Sequence, residues 1–264
     1  MFRELYFALY AVKKNIVSSA ELRTSFLMNV IGMTINNTAF IFLWMFFVQS
    51  VGVINGWTSA DIVGLQGFSA LAYGIVFSVA MGIRKLPDYV ASGSFDRFML
   101  SPKNILLRVA TAAFSPSAVG DVIFGIVCLI IYAVLLNAGF LQILLGILLV
   151  LCSAIVFLAC TIIVFSTSFY FVDTLNVSNG LFEIFFTPAL FHGGAFQGIT
   201  RFVYTFLIPS LLIGTLPVEI IRETSLAGML LILFLTLFWL FLAIVIFNKA
   251  VRRYESSNFM TFGN

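Results

Sequence analysis

Long apolar runs alternate along the chain with short segments that hold most of its charged residues. A helix needs about 20 apolar residues to cross a hydrocarbon core of about 30 Å. Five runs reach that length, and each predicts a membrane-spanning helix: Phe26–Val48, Ile62–Ile83, Ala110–Leu136, Phe140–Phe171 and Ala227–Phe247. The fourth run is longer than a crossing requires, which indicates a helix that is tilted or projects from the bilayer.

The segment between the fourth and fifth runs is interrupted. Val177–Pro217 is long enough for two crossings, but Pro188, His192–Gly194 and Pro209 break its apolar pattern. It is therefore either two helices, or one helix followed by a shallow re-entrant hairpin on the outer side. Irregular backbone occurs at membrane depth only where protein buries it or where it lines a cavity. A hairpin over residues 192–217 would thus indicate an outward-facing mouth or lid.

The basic residues predict the orientation. All but two of the fourteen Lys and Arg lie in residues 1–24, in residues 84–108 or in the tail, residues 249–264, whereas Gln49–Asp61 and Asn137–Gly139 hold none. Since Lys and Arg collect on the cytoplasmic side, the first two segments are predicted to be cytoplasmic. The tail is cytoplasmic as well only if the number of crossings is even. We therefore predict six spans, both termini in the cytoplasm, and one crossing plus a partial outer return in the interrupted segment.

Residues 1–24 have the pattern of a helix that lies on the inner membrane surface and contacts lipid. Lys13 and Lys14 are available to lipid headgroups. The apolar side chains recur at three- and four-residue spacing, which is typical of one helix face: Phe2, Leu5, Leu9, Val12 and Ile16. The segment is therefore predicted to be an interfacial anchor.

The composition agrees with a membrane protein. Of the 264 residues, 61% are hydrophobic and only 9% are charged, against about 45–50% and about 25% in soluble domains. The sequence therefore predicts an all-α integral membrane protein with one transmembrane domain over residues 1–264. Cys128, Cys152 and Cys160 lie inside apolar runs, which predicts neither a disulfide nor a metal site.

Catalytic and nucleotide-binding patterns are missing from the sequence. The only histidine, His192, has no partner that would make a metal ligand set or a general base. There is no HExxH, no GxSxG and no GxxxxGK[ST] phosphate-binding loop. No enzymatic activity, cofactor or nucleic-acid partner is therefore predicted for this chain.

Two acidic residues are candidates for a transport pathway. Asp121 follows Arg108 by about a dozen residues, which predicts a position roughly 15–20 Å along the third span. A carboxylate at such a depth marks either a pathway or a buried partner. The packing alternative is a protonated or hydrogen-bonded Asp121 that packs against Ser115, Ser117 or a neighbouring helix. Glu183 is expected near the inner end of the fifth span, where it reaches water.

The second run carries a small residue at every fourth position: Ala70, Gly74, Ser78 and Gly82. Small residues at this spacing let a second helix approach closely. They predict a helix-packing seam.

The stretch Gly82–Arg108 differs from its neighbours because charged and apolar residues alternate within it. That pattern predicts short amphipathic helices, interrupted at Gly93. Three roles fit such a loop: a topology signal that touches anionic lipid, a substrate site, or a docking element for a soluble partner. Acidic residues lie among the basic ones in this loop, and that mixture modestly favours a docking element for a soluble partner.

Three segments in order resemble one group of type-2 ATP-binding-cassette (ABC) permeases. They are "GSFDRFMLSPKNIL", "FLIPSLLIGTLP" (Phe206–Pro217) and "VRRYESSNF" (Val251–Phe259). The positions that match the first motif of that group are Gly93, Phe95, Asp96, Leu100 and Pro102. The similarity covers essentially the whole chain, with two departures: Phe95 stands where Leu is commoner, and "FHGGAFQGITRF" is not a close match.

The resemblance implies a permease subunit of an ATP-driven exporter in a prokaryotic cell membrane. Such a subunit dimerises with itself or a related permease, and separate ATPase subunits carry the ATP and Mg²⁺. Residues 84–108 would then be the coupling loop, with Asp173–Gly180 as a smaller second contact. The coupling residues would be Arg84, Lys85, Asp88, Gly93, Phe95, Asp96, Arg97, Leu100 and Pro102.

Two other functions stay open at this point. One is a secondary transporter or channel that works alone and uses Asp121. The other is a membrane enzyme or a scaffold for assembling other proteins. The sequence does not choose the substrate, or between a homodimer and a heterodimer.

Overall fold

The computed structural model describes residues 2–53, 55–171 and 174–254, and every regular element in those ranges is helical. The helices are α1 Phe2–Glu21, α2 Arg23–Val51, α3 Ser59–Arg84, α4 Leu86–Ala91, α5 Asp96–Met99, α6 Ile105–Ala110, α7 Pro116–Leu135, α8 Phe140–Ser166, α9 Thr174–Phe186, α10 Gly198–Phe202, α11 Thr215–Glu223 and α12 Leu226–Val251. Asp173 and the end of the tail, residues 255–264, lie outside the described residues.

Five of these helices are long and apolar enough to cross a membrane: α2, α3, α7, α8 and α12. They coincide with the five predicted runs, so the prediction of a helical, multi-pass membrane protein is confirmed. Helix α9 has 13 residues, and at 1.5 Å per residue it is only about 20 Å long. The sixth span therefore stays a prediction.

The third span begins later than its apolar run predicted. Helix α6 ends at Ala110, and α7 begins at Pro116 rather than at Ala110. The residue before a proline avoids the helical conformation, and Ser115 is extended, with φ −110° and ψ 113°. Asp121 therefore lies in the second turn of α7, roughly 8 Å from its start, and the predicted depth of 15–20 Å was wrong.

Helix α3 lies at the centre of the bundle and packs against α2, α7 and α8. Its small residues make the contacts with α7 and α6 close. A Cβ added to Gly74 would come within 2.7 Å of the Val122 amide nitrogen, and one added to Gly82 would overlap the Val109 carbonyl oxygen. Ala70 instead lines a cavity, while Ser78 is half-buried.

Near its end, α3 is kinked and joined to the start of α7. Ala80 has non-helical dihedral angles, φ −128° and ψ 29°. The Phe77 carbonyl accepts a hydrogen bond from the Ser115 amide, N to O 3.3 Å. Because the chain is not helical between α6 and α7, the Ser115 amide is available to donate this hydrogen bond to α3.

The bundle has two ends, which we name after the predicted orientation. At the inner end, the Phe95 ring packs on Phe169 and Tyr254, with centroids 5.0 and 4.8 Å apart. At the outer end, Arg222 Nη1 lies 3.4 Å from Asp61 Oδ2. The loop of residues 84–108 and the end of α12 thus lie at the same end.

Beyond α9 the chain runs towards the outer end. The Ala189 carbonyl accepts a hydrogen bond from Ser69 Oγ of α3, at 2.9 Å. The Gly194 carbonyl accepts one from Asn55 Nδ2 in the loop that precedes α3, at 2.7 Å. Residues 187–195 therefore follow α3 as far as its outer end.

The chain then turns back before it runs outward again. After α10, Ser210 Oγ donates a hydrogen bond to the Phe185 carbonyl near the end of α9. From Gly214, which lies against Leu65 and Ser69 of α3, α11 runs to the outer end. The interrupted segment is thus packed against α3 twice.

Candidate functional site

The inner loop consists of three short helices, α4 to α6. Gly93, between α4 and α5, has φ +69°, a left-handed conformation that glycine adopts without steric cost. After this turn the Phe95 amide donates to the Tyr89 carbonyl, N to O 2.9 Å. The predicted interruption at Gly93 therefore lies where the loop reverses direction.

Phe95 anchors this loop to the bundle. Its side chain is 0% exposed and contacts rings from the segment after α8 and from the tail. The hydroxyl of Tyr254 lies near Asp96, and burial together with that carboxylate raises the pKa of Tyr254 to about 12. Two sequence-distant segments, the loop motif and the start of the tail, thus form one packed unit.

The other side of the loop faces away from the bundle. Lys85, Asp88, Arg97 and Pro102 are exposed, and the Leu100 side chain is 86% exposed. An exposed leucine beside cations forms a small surface of mixed character on a buried support.

Two arginines fix the shape of this surface. The Arg97 guanidinium lies over the rings of Tyr89 and Phe98, at 5.0 and 4.8 Å. Arg108 donates to the carbonyls of Phe98 and Arg97, at 2.6 and 3.1 Å. The loop is therefore held in one conformation by contacts within the chain.

Arg84 differs from its neighbours in the predicted coupling set because it points into the bundle. Its Nη1 donates to the Tyr73 hydroxyl at 2.7 Å, and its guanidinium lies 5.5 and 5.1 Å from the rings of Phe77 and Phe182. It is half-buried, whereas Lys85 is exposed.

Arg84 reaches a cavity of about 320 Å³ between α2, α3, α7 and α9, which we call the polar cavity. Its polar lining residues are Asn36, Asn37, Gln66, Tyr73, Arg84, Asp121 and Glu183. Asp121 is 2% exposed, and its Oδ1 accepts a hydrogen bond from Asn37 Nδ2 at 2.7 Å. Its Oδ2 has no hydrogen-bond partner among the described residues.

Glu183 also lines this cavity, and its side chain is exposed; its predicted place near the inner end of the fifth span stays a prediction. It lies three residues before the end of α9, roughly 14 Å from the first residue of that helix. The two acidic candidates therefore border the same space, although they are far apart in the sequence.

Sequence reasoning missed most of the polar lining. Gln66 and Tyr73 were overlooked, and Arg84 was assigned to the loop surface. The adjacent amides Asn36 and Asn37, in the middle of an apolar run, were the signal that could have identified α2 as a cavity wall.

A second cavity, of about 620 Å³, continues towards the outer end, and we call it the aromatic cavity. It shares Phe40 and Leu190 with the polar cavity. Its other lining residues are Leu43, Trp44, Phe47, Thr187, Phe191, His192 and Ala195. The buried atoms Trp44 Nε1 and His192 Nδ1 have no hydrogen-bond partner within the described ranges.

A third cavity, of about 810 Å³, lies between α7 and α8 on another side of the bundle. None of its lining residues is charged, so it lacks the chemistry of the polar cavity. No cluster of His, Cys, Asp and Glu among the described residues could hold a metal ion. Cys128, Cys152 and Cys160 are buried and unpaired.

Comparison with known proteins gives one match. A protein-family model described as "ABC-2 family transporter protein" matches residues 34–258, from within α2 into the tail. No curated protein and no solved structure matches the chain.

Proposed function

Because this chain belongs to the ABC-2 transporter family, we propose that it is the permease subunit of an ATP-driven ABC exporter. The family indicates a membrane transport subunit that works with ABC ATPase subunits, rather than a catalytic enzyme. ATP and Mg²⁺ bind to those separate subunits. The observation that carries the proposal is the inner loop, whose exposed surface rests on the fully buried Phe95.

The exposed side of the loop is the contact for the ATPase. Lys85 and Arg97 present positive charge there, and Leu100 presents apolar area. An apolar centre with charged surroundings is typical of protein interfaces. The buried side of the loop transmits movement of the ATPase to the bundle, because Phe95 contacts elements next to α8 and α12.

Arg84 has a different role from the one that the loop position implied. It connects the loop to the polar cavity through Tyr73 and Phe182. Closure of the ATPase under the loop would therefore move a side chain of the transport path. The start of α9, up to Gly180, forms a smaller second contact with the ATPase at the inner end of the bundle.

We infer six crossings, with both termini in the cytoplasm. The contact of Phe95 with Tyr254 supports an even number, since it brings the tail to the end that holds the basic loop. Residues 174–225 then count as one crossing, with residues 192–217 as an outer re-entrant hairpin. Only two of the fourteen Lys and Arg, Arg201 and Arg222, lie outside the basic segments, and this low number fits an outer location for the segment that holds them.

A second permease chain, identical or related, completes the path. Among the five long apolar helices, α2 is the least buried, and Phe42 and Phe46 are exposed on it. The polar cavity lies against α2, so a partner on that side would close it. Lipid covers the remaining apolar surface and contacts α1, where Leu9 is exposed.

The test is purification of the tagged chain from native membranes in mild detergent, with identification of every recovered protein. We expect an ABC ATPase near one-to-one. We propose that Lys85 and Arg97 meet acidic groups of the ATPase. In the variant Lys85→Glu/Arg97→Glu, recovery should therefore fall about tenfold or more, because like charges across an interface cost several kcal/mol. The control Lys249→Glu changes an exposed cation at the inner end but outside the loop. Absence of an ATPase, under detergent that preserves a known ABC complex, would refute the proposal.

The second candidate function is a transporter or channel that works alone. It is favoured by the unpartnered Asp121 Oδ2, which lines the same cavity as Glu183. Transport would then follow an ion gradient, would need no ATP and would be lost in Asp121→Asn. Flux measured in vesicles without ATPase distinguishes the two functions.

A further inference from the structure

In the polar cavity, no described residue donates a hydrogen bond to the second carboxylate oxygen of Asp121. Buried polar atoms are nearly always hydrogen-bonded, and a buried charge without a partner is costly. Asp121 uses one oxygen for Asn37, and the other has no partner among the described residues. The Nη1 of Arg84 is directed to the Tyr73 hydroxyl.

The charges of the cavity favour a cation. Asp121 and Glu183 are acids and Arg84 is the only base among the lining residues, so the ionised lining carries one net negative charge. A single positively charged group beside Asp121 would balance it. The amides of Asn36 and Gln66 offer further acceptor oxygens to an ammonium group.

The aromatic cavity accommodates an apolar body. It adjoins the polar cavity at Phe40 and Leu190, so a molecule that occupied both would pass between or beside these two side chains. Trp44 lies edge-on to Phe191 and His192, with centroids 5.2 and 5.8 Å apart. Such rings give a large apolar contact area, and their faces also attract cations.

We propose that the two cavities form one binding site for an amphiphile with a basic nitrogen, whose ammonium group pairs with Asp121 and whose apolar body lies along Trp44 and Phe191. The inference rests on the proposed permease function and names the substrate class of that permease. Each of the two cavities has a volume within the range of small-molecule sites, about 300–1,000 Å³.

The experiment measures binding to the purified full-length chain in lipid nanodiscs, with binding to empty nanodiscs subtracted. Three radiolabelled probes share one body and differ in the head group: 4-(1-naphthyl)butylamine, 4-(1-naphthyl)butanol and 4-(1-naphthyl)butanoic acid. We expect the amine to bind at least about tenfold more tightly than the acid, because its ammonium group can form a charge-assisted hydrogen bond with Asp121, whereas a second carboxylate would be repelled. This comparison needs no variant.

Two variants separate the head group from the body. In Asp121→Asn the affinity for the amine should fall about tenfold, while that for the alcohol stays constant. In Trp44→Ala the affinities for amine and alcohol should fall together. The control Glu223→Gln removes an exposed carboxylate of the outer end and should change neither affinity.

Two results would overturn the inference: equal affinity for amine and acid in the unaltered chain, or an undiminished amine affinity in folded Asp121→Asn. Its failure is distinguishable from failure of the proposed function. If an ABC ATPase co-purifies but the amine has no preference, the permease function stands and the substrate class is wrong. If no ATPase is recovered, the proposed function fails whatever the probes do.

Discussion

At the scale of single residues, the closest helix contacts depend on glycines whose missing side chain leaves room for neighbouring backbone. Gly82→Ala would place a Cβ on the Val109 carbonyl oxygen, which cannot rotate away. Overpacking costs typically about 1–3 kcal/mol, and we expect a loss at the upper end or beyond, measured as the midpoint of thermal unfolding in detergent. Gly146→Ala in α8 is the control, since its nearest neighbour would be Ile221 Cδ1 at 3.7 Å. Equal midpoints would contradict the close contact.

Two acids approach Arg222, and only one is buried. Asp61 Oδ2 also accepts hydrogen bonds from the amide and hydroxyl of Thr58, both at 2.9 Å, whereas the Glu223 side chain is 62% exposed. Exposed ion pairs contribute about 0–1 kcal/mol, but loss of a buried hydrogen-bonded charge costs about 1–3 kcal/mol. We expect Asp61→Asn to lower the free energy of unfolding by that larger amount and Glu223→Gln to leave it nearly unchanged. Denaturant titration of both variants measures the difference, and similar losses would disprove it.

At the scale of elements, the inner loop has a buried side and an exposed side, and one substitution on each separates their roles. Phe95→Ala removes a fully buried ring, and such losses cost about 3–5 kcal/mol. We expect a lower unfolding midpoint together with loss of ATPase recovery. Leu100→Ala should keep the midpoint and reduce only the recovery, because Leu100 is 86% exposed. A fall in stability for Leu100→Ala would place that side chain inside the fold instead.

The sequence predicted elements where a single pattern determines them. The five long apolar runs became helices because a segment in lipid must satisfy its backbone hydrogen bonds internally. The break before Pro116 was missed, since Ala110–Leu136 is predominantly apolar and hydropathy does not register the effect of a proline on the preceding residue. The inward orientation of Arg84 depends on Tyr73 and Phe182, and no local pattern reveals a contact of that kind.

At the scale of the whole molecule, the cavities could not be read from the sequence. The polar cavity takes Asn37 from α2, Gln66 from α3, Asp121 from α7 and Glu183 from α9. These residues belong to four different helices, and only the packing of those helices brings them together. The sequence did identify both acids, because charge inside an apolar run is costly and therefore informative.

The whole-molecule prediction is an even number of crossings, which membrane-impermeant thiol labelling can test. The native cysteines are buried, so single cysteines at exposed positions report with low background. We expect Asp88→Cys and Arg253→Cys to react only from the cytoplasmic side, and Asn137→Cys only from the outside. Labelling of Arg253→Cys from the outside would contradict six spans.

The contact between Phe95 and Tyr254 has a consequence for engineering this transporter. Under the proposed coupling role of residues 84–108, a designer who wishes to redirect the chain to a foreign ATPase would graft a new sequence over this loop. The buried side of the new loop would contact Tyr254, whose packing fits the original loop. The two segments that make this contact are far apart in the sequence. The transplant therefore has to include the end of α12 and the start of the tail, so the smallest exchangeable part of the inner surface is discontinuous.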